Sequence, residues 1–206
     1  MKKQLIAVVS ALAMTFTSLP CVSSAAESVP KPVLQYTFDG NKQLADQNGK
    51  NELKLSGGAS VTDDGNKGKG LLLDGTDGYA ELPDNILSSD MTITTWVKIN
   101  KFTTWGRVFD FGTDSNQNFF FAPYSGGASR VEIKNGATVD TMDCTQETAK
   151  DWVNYAITIK GDTVSYYRNG RLIKSKSGIK DISELTNTAN YIGKSHYDGD
   201  DNYASP

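Results

Sequence analysis

Trp105 and Arg107 in TTWGRV set an aromatic ring two positions from a guanidinium group. Tyr124 in APYSGG, and His196, Tyr197 and Tyr203 in SHYDGDDNY, repeat the pairing of a ring with polar neighbours. Such groups suit a sugar, whose apolar face rests against a ring while a few directed polar atoms bond its hydroxyls. Edge loops of a scaffold are the natural place for them. The plainer use of the same residues is packing, with Trp105 capping a core and Tyr124 pinning its loop.

Acid chemistry is less well served. Glycoside hydrolysis needs two carboxylates across the scissile bond, and no closely spaced pair of the E-x-D-x-x-E type occurs. Glu132 in RVEIKN and Asp110 in VFDFG each stand alone on their strand, which predicts hydrogen-bonded edge residues. His196, the single histidine, has no nucleophile motif. DFG at 110–112 lacks a kinase glycine loop, and GKS at 193–195 has Thr188 where a phosphate loop needs glycine. Acids also crowd GLLLDGTDGYAELP at 70–83, but without the ligand spacing of a calcium loop. We read this stretch as a corner: Leu71 and Leu73 face a core, 74–78 turn the chain, and Asp77-Gly78 supplies a positive φ.

The elements that must position these residues are strands. Short β-branched and aromatic runs, broken by Gly, Asn and Asp, predict strands at 33–38, 53–55, 70–74, 79–82, 91–99, 107–111, 118–122, 130–134, 152–160, 163–168, 172–175 and 191–193. In MTITTWVKI, Met91, Ile93, Val97 and Ile99 share one face and Thr92, Thr94, Trp96 and Lys98 the other. Trp96 and Trp152 are expected in the core or covering a sheet. Gly161-Asp162 and Asn169-Gly170 mark two linked hairpins. DISELTN makes one helical turn at most, and the Gly- and Asp-rich stretch 57–70 reads as an exposed loop. The fold class is all-β, an antiparallel two-sheet sandwich or jelly roll.

The ends and the charge bound the setting. Lys2, Lys3, the apolar run 5–16 and the small residues 23–26 form a signal peptide, 1–26, which predicts export. Ser18-Leu19-Pro20 before Cys21 does not fit a lipoprotein signal. No later run approaches the ~20 apolar residues of a membrane helix, so no membrane insertion is expected. Losing Lys2 and Lys3 leaves 19 basic against 24 acidic residues and a formal charge of −5. With no Lys/Arg cluster, nucleic acid is not an expected partner. Cys144 alone survives processing, so no internal disulfide forms. Residues 27–206 suffice for one domain.

In order along the chain, LQYTFDGN at 34–41, GLLLDGTDGYAELP at 70–83, MTITTWVKI and WGRVFDFG within 91–112, WVNYAITIKGDTVSYYRNGRLI at 152–173 and YIGKS at 191–195 resemble the laminin-G-like, concanavalin-A-like jelly-roll domains of secreted bacterial proteins. The resemblance implies two antiparallel sheets and a binding role toward polysaccharide or matrix. Its leading form is a non-catalytic accessory module at the N-terminal end of a glycoside hydrolase that degrades arabinan or xylan. A cell-surface adhesion domain is the second reading, and a catalytic hydrolase the third. The resemblance also implies a structural Ca²⁺ where first and last strands meet, with Asp39 and Asn41 of FDGN as ligands, unless Asp39 only starts a turn. The family continues into a strand of the type G-x-I-D-D-x-R-I-Y and a segment N-R-A-L, which match nothing here. The expectation is a domain without its last strand, and further domains beyond residue 206.

Overall fold

The computed structural model describes residues 31–148 and 150–200. Segment 1–26, expected to be a signal peptide and containing Cys21, and Tyr203 lie outside these residues. So does nearly all of the first of two compact units, Met1–Pro32; the fold is that of the second, which begins at Val33.

The strands in chain order are β1 (Lys54–Ser56), β2 (Ser60–Gly65), β3 (Gly68–Leu72), β4 (Tyr79–Leu82), β5 (Met91–Val97), β6 (Phe109–Asp114), β7 (Gln117–Ala122), β8 (Ala128–Asn135), β9 (Thr138–Thr145), β10 (Val153–Lys160), β11 (Thr163–Arg168), β12 (Arg171–Ser177) and β13 (Ala189–Ile192). One 3-10 turn, Ile182–Glu184, precedes β13 and is capped by Asp181, whose side chain accepts from Ser183 N. Seven strands form a sheet in the order β1-β4-β13-β6-β7-β8-β9, four form another as β12-β11-β10-β5, and β2 pairs with β3 in a ribbon. Every ladder is antiparallel.

Period-two burial brings the two larger sheets face to face. Phe109, Phe111, Phe119, Phe121, Val131 and Ile133 of one sheet pack with Tyr155, Ile157, Ile159, Val164 and Tyr166 of the other. The Phe121 ring stands 5.1 Å from both Tyr155 and Tyr166, an aromatic contact across the sandwich. Strand β5 alternates as its sequence predicts, with Met91, Ile93 and Val97 against the core. Trp96, however, is 49% exposed on the outward side, and Trp152 is half-buried. The far edge of β5 meets no strand among the described residues.

Several local expectations change. Residues 33–38 form no ladder; Phe38 has a φ of 61°, and Gln35 O accepts a bond from Gln47 N. The stretch read as a loop at 57–70 contains β2 and the start of β3. Strand β9 was not foreseen, because TVDTMDCT offers only Met142 and Cys144 to the core. The thiol of Cys144 is pushed up by this burial.

The acidic corner is architecture. Asp74 Oδ1 accepts from the backbone N of Thr76, Asp77 and Gly78 at 3.0, 3.2 and 2.8 Å, and Asp77 Oδ1 accepts from Gly58 N. Leu73 is buried, and Leu71 packs against the core. The positive φ falls on Gly75, at 71°, and not on Asp77-Gly78. Gly78 is required for a different reason: a Cβ there would lie 2.8 Å from Ala59 N.

Candidate functional site

Opposed residues of an antiparallel ladder share a face. Since the odd-numbered phenylalanines of β6 and β7 point inward, the outer face of the seven-stranded sheet carries the row Glu81, Tyr191, Asp110, Phe120, Glu132, Thr141 across β4, β13, β6, β7, β8 and β9. Arg130 and Lys134 flank Glu132 on the same side of β8. Segments 103–107 and 194–200 lie over the middle of this row.

Arg107 is the centre of the covering. Its side chain is 1% exposed, with Cζ 3.8 Å from the centre of the Phe120 ring. Nη1 donates to Trp105 O at 2.6 Å, Nε to Asp110 Oδ2 at 3.3 Å and Nη2 to Asp200 Oδ2 at 2.7 Å. Ser195 Oγ also donates to Asp200 Oδ2, at 2.8 Å, and accepts from Tyr197 N.

Asp110 is not the edge residue expected. It sits on β6, inside the sheet, with no side-chain exposure. Its Oδ2 also accepts from His196 N at 3.1 Å, and His196 Nδ1 lies 2.8 Å from Oδ1. With both carboxylate oxygens acting as acceptors, Nδ1 carries the proton. The opposite ring atom, Nε2, is buried and makes no hydrogen bond among the described residues. The register also brings Asp110 and Glu132 onto one face on either side of Phe120, about 10 Å apart at two strand spacings. Asp110 is nonetheless fully engaged by Arg107 and His196.

Trp105 forms the rim. It is half-buried and has a φ of 64°, a left-handed conformation that a tryptophan holds only under constraint. The constraint is visible: Trp105 N donates to Tyr124 O at 2.9 Å, and Trp105 O accepts from Arg107. The Cζ atoms of Arg107 and Arg130 stand 5.7 and 5.1 Å from its ring. Arg130 is fixed in turn by two bonds to Asp143, Nε to Oδ1 at 2.6 Å and Nη2 to Oδ2 at 2.9 Å. Hydrogen bonding from Arg130 holds the Asp143 carboxyl below the usual range. Lys134 Nζ lies 5.3 Å from the Tyr197 ring.

The structure therefore gathers Trp105, Arg107, His196 and Tyr197 in one cluster and joins Tyr124 to it through its backbone. Arg107 and His196 have side chains only 1% and 4% exposed, whereas Trp105, Tyr124 and Tyr197 are half-buried. Phe120, Arg130, Lys134 and Tyr191 were missed, and Glu132 was weighed only as a lone strand acid. Alternation in QNFFFA and ASRVEIKN could have grouped Phe120, Arg130, Glu132 and Lys134, because those residues fall opposite the core positions.

Asp39 and Asn41 are both exposed, and Asp39 Oδ1 accepts from Lys69 N at 3.0 Å. Ca²⁺ takes six to eight oxygens. No group of three or more His, Cys, Asp or Glu suited to a metal occurs among the described residues, so these two side chains do not fit a calcium site by themselves.

A jelly-roll sandwich with an aromatic and cationic cluster on its larger sheet defines the class of this protein. Residues 74–205 match the Laminin_G_3 family, the concanavalin A-like lectin/glucanases superfamily, and the chain belongs to it. Among solved structures it is similar to domain 4 of AbnA, a GH43 extracellular arabinanase from Geobacillus stearothermophilus, in complex with arabinotriose. The TM-score is 0.71 at 22% identity, over 82% of this chain and 86% of that one. It is also similar to the CBM40 of Ruminococcus gnavus IT-sialidase bound to alpha2,3 sialyllactose, with a TM-score of 0.50 at 19% identity, over 58% and 71% of the two chains. At these identities the likeness is one of fold. A curated relative, an alpha-L-arabinofuranosidase of Bifidobacterium longum, is 26% identical over 215 residues, which is 90% of this chain and 20% of the relative. The chain thus spans about a fifth of that relative's length.

Proposed function

We propose that this chain is a non-catalytic carbohydrate-binding module, the accessory domain of a secreted glycoside hydrolase acting on arabinan or xylan. The observation that carries the reading is Trp105. A partly exposed tryptophan, held at a left-handed φ with two arginines beside its ring, offers a preorganised stacking surface. Tyr197, Arg130 and Lys134 supply further contacts around it. Arg107 and His196 hold the platform from beneath, and Tyr124 fixes Trp105 through its carbonyl. The full engagement of Asp110 argues against a two-acid hydrolase on this face. The likeness to a domain of an extracellular arabinanase and to an alpha-L-arabinofuranosidase favours arabinan, and the first of these together with the N-terminal segment favours export.

Affinity electrophoresis in gels containing arabinan, xylan or neither tests the reading. Retardation by one polysaccharide, strongly reduced by Trp105→Ala, is expected. No retardation by any polysaccharide would remove the module reading; retardation unaffected by the substitution would remove only the site.

A further inference from the structure

The outer face of the seven-stranded sheet has a second feature, away from Trp105. A concavity of about 580 Å³ lies between residues 50–54 and the β4–β13 pair, lined by Lys50, Glu52, Lys54, Glu81, Asp84 and Tyr191 among others. One wall is firmly built. Asp46 is buried, and its Oδ1 accepts from the backbone N of Lys50 and Asn51 at 2.9 and 3.2 Å while Oδ2 accepts from Asn51 Nδ2 at 2.9 Å. Asp46 N donates to Asn51 O, and Leu53 N to Leu44 O, which close the loop at its base.

The floor is continuous with the first cluster. Glu81 opposes Tyr191, and Tyr191 opposes Asp110. The Tyr191 ring stands edge-on to Tyr79 at 5.6 Å and lies 5.0 Å from His196. Lys194 Nζ hangs 4.2 and 4.6 Å above the Tyr79 and Tyr191 rings, a cation that can give donors to hydroxyls over an aromatic floor. From β4 to β8 there are four strand spacings, about 19 Å. The lining sets Lys50 and Lys54 against Glu52, Glu81 and Asp84, and Lys194 stands beside it on the Tyr191 ring, so charges of both signs alternate without a single-sign field, which suits a neutral polyhydroxyl ligand over a strongly charged one.

We infer that this concavity is a second subsite for the same neutral oligosaccharide, so that the face grips an extended chain at two places, Trp105 at one end and the Tyr191–Glu81 cavity at the other. The inference rests on the carbohydrate-binding reading above. Lys54 and Glu81 oppose each other in the β1–β4 ladder, so replacing both with Ala empties the cavity without changing net charge.

Calorimetric titration with arabino- and xylo-oligosaccharides, from the disaccharides to the hexasaccharides, tests it. Kd for the better series should fall at least about tenfold from shortest to longest ligand. Lys54→Ala/Glu81→Ala should remove that gain while leaving the disaccharide Kd within about twofold; Trp105→Ala should weaken every length. Thermal melting of each variant confirms its fold, with Lys194→Ala as a milder second probe of the cavity. A Kd independent of length, or equal weakening of short and long ligands by the cavity variants, overturns the second subsite and leaves the module reading intact. Failure of the unaltered protein to bind either series overturns both.

Discussion

His196 Nδ1 lies 2.8 Å from Asp110 Oδ1 across 86 residues of chain. The bond fastens the 194–200 segment to the middle of the larger sheet, and Arg107 completes the fastening from the other side of the carboxylate. The network leaves Asp110 wholly desolvated. Removing it would leave the buried Arg107 Nε and the His196 N and Nδ1 donors without their acceptor, while Arg107 keeps its pairing with Asp200. Asp110→Ala is expected to destabilise the domain by about 2–3 kcal/mol, read from urea unfolding. A loss below about 1 kcal/mol, the size of an exposed pair, would show that the network is open to water.

Trp105 should reveal its left-handed backbone through paired substitutions. Glycine accepts a φ of 64° without strain, whereas alanine pays about 1 kcal/mol. Trp105→Gly should therefore be the more stable of the two, while both lose the ring and its binding. Equal melting temperatures would contradict the constrained rim.

Acid sensitivity follows from the carboxylates held by hydrogen bonds. Asp143, bonded by Arg130, and Asp74, bonded by the Thr76 and Gly78 amides, have native pKa values below their unfolded ones. Their stabilisation is complete above the unfolded value of about 3.9 and fades as pH falls through the lower native values. The stability gap between the unaltered protein and Asp143→Asn should hold constant at neutral and mildly acid pH and shrink below about pH 4. A gap that grows on acidification would reverse the sign.

Calcium should have little effect. Since Asp39 Oδ1 is bonded to Lys69 N and no acidic group gathers around it among the described residues, adding Ca²⁺ or a chelator should leave the melting temperature unchanged. A rise with Ca²⁺ would establish a site, because a ligand of the native state must stabilise it.

The sandwich was legible where one face is apolar and the turn chemistry explicit. Gly161, at a φ of 55°, and Asn169-Gly170, at 49° and 76°, make the two turns predicted between β10, β11 and β12. Strand β9 was hidden because Val139 points outward and its other outer positions are Asp and Thr. Strand β2 and the start of β3 were hidden because they add little to the core, so their Gly and Asp read as loop, while the end of β3 fell within the strand expected at 70–74. Of the candidate site, the residue types in 103–107 and 195–197 were visible in sequence. Their meeting was not, since Arg107, Asp110 and His196 are joined by loops whose path no periodicity records. The depth of Asp110 was equally illegible, because its cover comes from outside the sheet.

The central claim is that Trp105 presents a sugar-stacking surface. Its most direct test is calorimetric titration of arabinotriose into the unaltered protein and into Trp105→Ala, with matched thermal melts. Saturable binding by the first and none by the second, at similar melting temperatures, is the predicted result; equal affinity in the two proteins would contradict it.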